Sequence, residues 1–296
     1  MSARPKVDAA VSVRSALREA MGRLEAAKVP SHTLAAELLL MHAVRCDRTW
    51  LYSHPDATMD DEVLRRFFEL VARRAGGVPT QYLTGKQEFW GLEFEVTPAV
   101  LIPRPETEHL VEVAMERLGE SRTGESLRIA DVGTGSGCIA VALARQFKSA
   151  EILATEISSV ALDVARRNAA RHGVSERIHF TQCDLLGPAA TRGRQFDLVV
   201  SNPPYVASGD ESQLQREVRE HEPHEALFAG AEGIGIYTRL IAQAAKCLRG
   251  TGVVVVEVGY GASERVRGLL DCAGWKEIRV TNDLAGIPRV ISANLA

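Results

Sequence analysis

The sequence predicts a mixed α/β protein in which a mostly parallel sheet with an antiparallel last strand follows a small helical domain. Apolar residues recur at helical spacing up to about Ala75, and strand-like and helix-like segments alternate from about Glu106 onward. The last two strand-like segments have no helix between them, which predicts an antiparallel pair. At 296 residues, 46% of them hydrophobic, the chain can form one large domain or two smaller ones.

The first predicted region is a helical-bundle domain over residues 1–80. Three segments have apolar residues at the helical period, LREAMGRLEAAKV, SHTLAAELLLMHAV and DDEVLRRFFELVARRA. Ser31 and Asp60 stand where the second and third helices should be capped. The region carries no chemical motif, so we expect it to dock a substrate. The alternative is that it only covers an apolar face of the catalytic domain.

Residues 81–105 are predicted to form a linker that contains a hairpin. Gly85, Gly91 and several prolines punctuate short segments, and LEFEV alternates apolar and polar residues as a strand does. Residues 106–296 then form the predicted α/β domain, since parallel strands need helical crossovers between them.

A glycine-rich segment, DVGTGSGCIAVAL, follows an apolar strand and opens a helix. Such a loop lets a ligand approach backbone N–H groups at a helix amino terminus, so a nucleotide-like ligand is expected there. Cys138 stands where a dinucleotide-binding loop would have its third glycine, which makes a nicotinamide enzyme the less favoured alternative. The candidate cofactor-binding residues here are Gly133, Thr134, Gly135, Ser136 and Gly137.

Two acidic residues mark the ends of the next two predicted strands. Glu156 ends EILATE, where a carboxylate can accept hydrogen bonds from both ribose hydroxyls of a nucleoside. Asp184, with Leu185 beside it, follows the third strand, from which it could reach an adenine amino group. Either acid alone is typical of a helix cap or a solvated strand end. Together with the glycine loop they predict an adenosine site.

The segment DLVVSNPPYV places Asn202, Pro203, Pro204 and Tyr205 after a buried strand. Proline cannot donate to a sheet ladder, so the prolines end the strand, and they restrict the direction of the backbone carbonyls. Ligands collect at the carboxyl ends of parallel strands. The segment is therefore the predicted reaction site, and a plain strand terminator is the alternative.

These segments, together with IPRPETEHLVE, HEPHEALFAGAEGIGIYTRLI and NDLAGIPRV, resemble the HemK/PrmC family. That family consists of protein-(glutamine-N5) methyltransferases that act on peptide chain release factors, and it has the Rossmann-like class I methyltransferase fold with S-adenosylmethionine as cofactor. The resemblance covers the catalytic domain nearly end to end. Glu156 departs from it, since the family more often has Asp there.

The resemblance implies roles for individual residues. The Asn202 side-chain carbonyl accepts one N–H of the substrate amide, the Pro203 backbone carbonyl accepts the other, and Tyr205 stacks on the flat amide. Asn202 also borders the cofactor, and Arg104 and Thr107 lie near the cofactor mouth. The implied target is the glutamine of the release-factor Gly-Gly-Gln loop.

Two alternatives stay open. The same Asn-Pro-Pro-Tyr site suits a ribosomal-protein glutamine or the N6 amino group of adenine. In a different class, the chain could be a nucleotide-binding interaction protein without catalysis.

Composition and the remaining motifs make several kinds of partner and cofactor less expected. The formal net charge of -3 gives no general basic field, so direct nucleic-acid binding is not expected. HEPH resembles a zinc motif but is one residue short, and Pro223 would break its helix, so no metal is assigned. Five scattered cysteines indicate a reducing compartment, and no apolar stretch is long enough to span a bilayer. We expect a cytoplasmic protein with no membrane partner.

Overall fold

The structure is a computed structural model that describes residues 11–119, 126–191, 193, 195–230 and 233–295. Its residues form two compact units. Unit 1 comprises residues 11–85 and the segment Arg216–His221, and unit 2 comprises Lys86–Gln215 and the described residues from Glu222 onward. Within the described ranges, no helix is both long enough and apolar enough to cross a membrane. The domain boundaries at residues 80 and 105 stay a prediction.

The described chain contains twelve α-helices and nine strands. The helices are α1 Val13–Ala26, α2 His32–Val44, α3 Arg48–Ser53, α4 Asp61–Ala75, α5 Thr80–Thr84, α6 Thr107–Leu118, α7 Cys138–Gln146, α8 Ser159–Arg171, α9 Arg216–His221, α10 His224–Leu227, α11 Gly235–Cys247 and α12 Ser263–Cys272. The strands are β1 Lys86–Phe89, β2 Leu92–Glu95, β3 Arg128–Val132, β4 Glu151–Glu156, β5 Ile178–Gln182, β6 Phe196–Ser201, β7 Leu248–Glu257, β8 Lys276–Asn282 and β9 Pro288–Asn294.

Unit 1 is built on the three helices that the sequence predicts, which are α1, α2 and α4. Each helix packs on the other two, and central side chains of all three are fully buried, namely Ala16, Leu24, Leu39, Phe67 and Val71. The helical periodicity of the sequence therefore reflects one shared core. The short helices α3, α5 and α9 complete the unit.

Helix α9 belongs to unit 1 although it lies 140 positions beyond Gly76 in the chain. Arg74, almost fully buried, forms an ion pair with Glu217 of α9. Arg216 donates from Nη2 to the carbonyl oxygen of Gly76 at 3.0 Å. A buried arginine is stable only when an acid pairs with it, so this contact accounts for the membership of α9.

The two predicted caps differ. Asp60 precedes α4, and its Oδ1 accepts from the N–H groups of Glu62 at 3.0 Å and Val63 at 3.3 Å. Ser31 holds the corresponding position before α2, but its side chain makes no capping hydrogen bond. Its φ of 49° is left-handed, whereas a capping residue normally has extended backbone. Ser31 thus occupies the predicted position without capping the helix through its side chain.

Unit 2 begins with the predicted hairpin. Strands β1 and β2 pair antiparallel, with Phe89 opposite Leu92. Trp90 and Gly91 form the turn, with φ values of 55° and 67°, as a two-residue turn that matches the strand twist requires. The rings of Phe89 and Phe94 meet edge to face in the core, 6.1 Å between centroids.

Asn168 of α8 joins this hairpin to the glycine loop. Its Oδ1 accepts from the N–H of Glu95 at 2.7 Å, and its Nδ2 donates to the carbonyl oxygens of Glu95 at 3.0 Å and Ser136 at 2.9 Å. The side chain is fully buried, so these bonds compensate for the loss of water around the amide. The hairpin is thereby part of the framework that holds the loop.

The main sheet has the strand order β5-β4-β3-β6-β7-β9-β8. Strands β5, β4, β3, β6 and β7 run parallel to one another, and β9 runs antiparallel to both of its neighbours, β7 and β8. This confirms the predicted mostly parallel sheet with an antiparallel last strand.

Alternate residues of the central strands face two helical layers. Leu198 and Val200 of β6 join the core formed with α6, α7 and α8. Val199 joins the core formed with α11 and α12. All three side chains are fully buried, which explains the continuous apolar run of this strand.

The two cap positions make a matched test of side-chain capping. We expect Asp60→Ala to lower the free energy of unfolding by roughly 1 kcal/mol, because two backbone N–H groups lose their acceptor. Ser31→Ala should change it by at most a few tenths of a kcal/mol, about the value for a surface position without such a bond. Urea denaturation of the three proteins measures both. Equal losses of unfolding free energy in the two variants would contradict the conclusion that Asp60 caps its helix through its side chain and Ser31 does not.

Candidate active site

The carboxyl ends of the parallel strands lie along one edge of the sheet in unit 2. Val132 of β3 lies opposite Thr155 of β4 and Ser201 of β6. The residues that follow these three positions are the glycine loop, Glu156 and Asn202. The pairing register therefore brings together features that the sequence places at three separate strand ends.

The glycine loop, residues 133–137, turns the chain from β3 into α7. Its three glycines have positive φ values of 73°, 54° and 82°. At Gly137 a Cβ would lie 3.1 Å from the Cβ of Ala165, so any larger residue there would crowd α8. At Gly133 and Gly135 a Cβ would meet no described atom within 4 Å. The loop thus faces open space at the amino terminus of α7, where a ligand can reach its N–H groups.

Asp131 lies in β3 just before the loop and is fully buried. Its Oδ2 accepts from Thr134 Oγ1 at 2.6 Å and from the N–H of Ala140 at 3.1 Å. Its Oδ1 has no hydrogen-bond partner among the described residues. Burial raises the pKa of Asp131 to about 7, although both hydrogen bonds lower it. The buried oxygen Oδ1 is suited to a donor group of a ligand.

Glu156 ends β4 with its carboxylate held by three backbone N–H groups. Oε2 accepts from Gly135 at 3.1 Å, and Oε1 accepts from Ile157 at 2.8 Å and Ser158 at 3.1 Å. These bonds fix the carboxylate between the glycine loop and the start of α8. A carboxylate has about four lone-pair sites. Three are used here, so capacity for a further hydrogen bond remains on Oε2. The predicted ribose contact is compatible with this geometry and stays a prediction.

Asp184 and Leu185 follow β5. The Asp184 carboxylate is exposed and forms an ion pair with Arg239 of α11. Leu185 is buried in the core next to α11 and has a left-handed φ of 51°. A contact of the Asp184 carboxylate with an adenine amino group would have to compete with Arg239. The roles predicted for these two residues are not tested by this geometry.

Asn202 follows β6, and its side-chain amide is held on the nitrogen side. Nδ2 donates to Thr107 Oγ1 at 3.1 Å, and Thr107 Oγ1 in turn donates to Oε2 of Glu257 at 2.7 Å. Thr107 begins α6, Glu257 ends β7, and both side chains are buried. The oxygen Oδ1 of Asn202 takes no part in these bonds and remains available as an acceptor.

Tyr205 lies three residues after Asn202, and its ring packs on the segment that follows β7. A Cβ on Gly259 would lie 2.6 Å from Cδ2 of the Tyr205 ring, so the ring packs directly on the backbone there. Burial raises the pKa of Tyr205 to about 12, which keeps the phenol neutral near pH 7.

The two prolines between Asn202 and Tyr205 differ in exposure, since Pro203 is buried and Pro204 is half-buried. The N–H of Val206 donates to the carbonyl of Leu227 at 2.9 Å, which anchors the chain after the ring.

Arg104 and Thr107, which the resemblance placed near the cofactor mouth, have different partners. Arg104 donates from Nη2 to Oε1 of Glu222 at 2.5 Å, and the N–H of Ile102 donates to Oε2 of the same carboxylate at 3.3 Å. Glu222 is buried, so this pair fastens the segment that leads into α6. Thr107 contacts Asn202 directly, as described above.

The HEPH segment does not form one helix. His221 ends α9, His224 begins α10, and Pro223 stands between them as the N-cap of α10. Pro223 thus interrupts the helix as the sequence predicts. In the part of the chain that the structure describes, no cluster of three or more His, Cys, Asp or Glu side chains is arranged to hold a metal ion.

Sequence reasoning missed the contact of Glu257 with Thr107 and the burial of Asp131. Glu257 follows the apolar run VVVV at the carboxyl end of a strand, the same signal that singled out Glu156. The contact of Glu257 with Thr107 spans 150 positions, and such a pairing cannot be deduced from spacing.

The fold is that of a class I methyltransferase. Residues 108–225 match the methyltransferase small domain, and residues 15–85 match the PrmC N-terminal domain. The hMettl16 catalytic domain in complex with MAT2A 3′UTR hairpin 6 superimposes with a TM-score of 0.58 at 19% identity, over 77% of this chain and 82% of that one. A methyltransferase from Pyrococcus furiosus does so with a TM-score of 0.50 at 15% identity, over 70% and 91%. At such identities the likeness shows the fold alone.

Relatives of higher identity show the family. The release factor glutamine methyltransferase of Koribacter versatilis is 44% identical over 281 residues, which are 95% of this chain and 98% of that protein. The proteins of the same name from Nitratidesulfovibrio vulgaris and Geobacter sulfurreducens are 41% and 40% identical, over 95% and 96% of this chain and 95% and 97% of theirs. The chain belongs to the release factor glutamine methyltransferase family.

Proposed function

We propose that this protein transfers a methyl group from S-adenosylmethionine to the side-chain amide nitrogen, N5, of the glutamine in the Gly-Gly-Gln loop of peptide chain release factors. The reaction would modify a factor of translation termination. The observation that carries the proposal is the state of Asn202. Its Oδ1 is available at the sheet edge beside the glycine loop, while its Nδ2 is bonded to Thr107. Membership of the family supports the choice of substrate.

The proposed cofactor site combines the glycine loop with the acids at the neighbouring strand ends. Open space in front of Gly133 and Gly135 suits a ligand in backbone contact, and the buried Asp131 Oδ1 suits an ammonium donor. The Glu156 carboxylate, fixed by backbone N–H groups, suits a ribose. When bound, the cofactor supplies an electrophilic methyl group on a positively charged sulfur. The site would comprise Gly133, Thr134, Gly135, Ser136, Gly137, Glu156, Asp184, Leu185 and Asn202.

The proposed chemistry depends on how the protein holds a primary amide. The amide nitrogen is a weak nucleophile, because its lone pair is delocalised into the carbonyl group. Asn202 Oδ1 accepts one N–H and the Pro203 carbonyl accepts the other, which orients the nitrogen and favours the positive charge that develops on it. Pro204 limits the backbone, and the neutral Tyr205 ring packs on the amide plane. The alkylated nitrogen loses its proton readily, so no strong base is needed.

We propose that unit 1 contributes to the docking of the release factor. A single glutamine side chain offers little to distinguish one protein from another, so selectivity requires contacts around the target loop. Unit 1 exposes two large apolar side chains, Leu34 at 45% and Tyr52 at 61%. Tyr52 also donates to the buried carboxylate of Glu37, so its position is fixed from within the unit.

The proposal includes a cytoplasmic location, because translation factors work there. It includes no membrane partner and no direct nucleic-acid partner, since the net charge of -3 gives no general attraction for a phosphate backbone.

For the cofactor, we expect Glu156→Ala to weaken S-adenosylmethionine binding by roughly 1.5 to 3 kcal/mol, the range for charge-assisted hydrogen bonds. Calorimetric titration measures the change. Asp163→Ala is the control, since this acid lies on α8 and pairs with Arg166 at 2.9 Å. Unchanged affinity in Glu156→Ala would remove Glu156 from the site.

For the reaction, the wild-type protein should transfer labelled methyl groups from the cofactor to a purified release factor. Asn202→Ala should lower kcat by about a hundredfold or more while most of the cofactor affinity is kept, because Oδ1 acts where charge develops. A release factor whose Gly-Gly-Gln glutamine is replaced by alanine is the control and should stay unlabelled. Labelling of ribosomal proteins or adenine-containing DNA in place of the release factor, or wild-type turnover in Asn202→Ala, would overturn the proposal.

For docking, we expect Leu34→Glu to raise the KM for the release factor by about tenfold, the effect of roughly 1.4 kcal/mol at an interface, with kcat at saturation unchanged. The rate with a short Gly-Gly-Gln peptide should not change, because such a peptide is too small to reach a separate docking surface. Equal melting temperatures of variant and wild type are required first. An unchanged KM for the release factor would favour a purely structural role for this surface.

A further inference from the structure

Two consecutive hydrogen bonds lead from the reaction site into the core of unit 2. Asn202 Nδ2 donates to Thr107 Oγ1 at 3.1 Å, and Thr107 Oγ1 donates to Glu257 Oε2 at 2.7 Å. Thr107 and Glu257 are each only 2% exposed. Neither can contact bulk water to exchange these partners for solvent, so the bonds constrain one another.

The donors and acceptors allow only one arrangement when Glu257 is ionised. A carboxylate can only accept hydrogen bonds, so it takes the single hydroxyl proton of Thr107. Toward Asn202, Thr107 Oγ1 then has only lone pairs and can act only as an acceptor. The group that faces it must be the donor Nδ2, and Oδ1 must face the opposite way.

We propose that Thr107 and Glu257 are positioning residues that fix the orientation of the Asn202 side-chain amide, so that its oxygen and not its nitrogen faces the substrate. The two ends of an asparagine amide have nearly the same shape, so packing alone does not distinguish them. An amide turned the other way would present N–H donors to the N–H donors of the substrate. The consequence for catalysis rests on the proposed function, whereas the orientation itself does not.

Thr107 and Glu257 are held in place by separate secondary-structure elements. The N–H of Thr107 donates to the carbonyl of Arg104 at 3.1 Å, at the start of α6. Glu257 is paired with Val290 of β9, and its backbone carbonyl accepts from the Tyr237 hydroxyl of α11 at 2.9 Å. The two hydrogen bonds therefore depend on the tertiary fold and not on local sequence. The three residues that form them cannot shift independently.

Charged and titratable groups face Glu257 from every side. Burial is the largest influence and raises the pKa of its carboxyl to about 7. The Thr107 hydrogen bond and the cations of Arg289 and Arg104 lower it, and Glu106 raises it. The neutral groups nearby are Tyr205, Tyr237 of α11 and Cys138 of α7.

Protonation of Glu257 removes the constraint on Asn202. A neutral carboxyl can donate as well as accept, so Thr107 can then turn its own proton toward Asn202. Both orientations of the amide become possible, and only one of them binds the substrate productively. Turnover should therefore fall as the pH is lowered through about 7, the pKa of this carboxyl.

The first test compares two substitutions of Thr107 in the full chain. Thr107→Val keeps the shape and removes the hydroxyl, and we expect kcat to fall at least about tenfold, as for the loss of a buried hydrogen bond. Thr107→Ser restores the hydroxyl and should recover most of the turnover. Cofactor affinity should be the same in both. Wild-type kcat in Thr107→Val, or equal losses in Val and Ser variants with equal melting temperatures, would overturn the proposal.

The second test is the pH profile of kcat at saturating cofactor and release factor, from about pH 5.5 to about pH 8.5. Glutamine, like a neutral carboxyl, can both donate and accept, so Glu257→Gln should be slower than wild type and should lose the rise through pH 7. If kcat of Glu257→Gln still rises through pH 7 as in the wild type, another group, such as the buried Asp131, controls it. That result would overturn the role of Glu257.

A third measurement needs no substrate. The side-chain amide NMR signals of Asn202, assigned by their absence in Asn202→Ala, should shift with a midpoint near pH 7 in the wild type and not in Glu257→Gln. Signals insensitive to pH would overturn the coupling. This measurement separates the two proposals. A protein whose Asn202 signals shift near pH 7 but that methylates no release factor would contradict only the proposed function.

Discussion

The parallel pairing of β3 with β4 and β6 is the constraint on which the rest of the site depends. Because Val132 lies opposite both Thr155 and Ser201, the chain leaves all three strands at one level of the sheet. The glycine loop, Glu156 and Asn202 are the next residues along the chain. A slip of one residue in any strand would turn its side chains to the other face, so the apolar layers on both faces fix this register.

Two buried carboxyl groups lie near the same edge of the sheet, and each accepts a hydrogen bond from a threonine hydroxyl. Asp131 accepts from Thr134 at 2.6 Å, and Glu257 accepts from Thr107 at 2.7 Å. A carboxylate removed from water needs hydrogen-bond donors close by, and a threonine hydroxyl is one of these donors at each acid. At Thr107 that requirement has a further effect, since the hydroxyl proton is committed to Glu257 and only its lone pairs face Asn202. Two buried side chains thus influence a group at the edge of the sheet.

Much of the fold was predictable, because strand and helix periods repeat locally. The hairpin, the α/β alternation and the glycine loop all follow from short segments. The remainder depends on contacts between distant residues. The bond of Thr107 to Glu257 spans 150 positions, and the ion pair of Arg74 with Glu217 places α9 in unit 1. Ser31 has the chemistry of a cap, but the left-handed backbone that it adopts could not be deduced from its residue type.

The central claim is that Thr107 acts on the reaction through Asn202 and not independently of it. A double-mutant cycle of Thr107→Val and Asn202→Ala, with kcat measured by transfer of labelled methyl groups to a release factor, tests this claim most directly. The account predicts that Thr107→Val slows the protein when Asn202 is present and has no further effect when it is alanine. The same factor of loss in both backgrounds would contradict it.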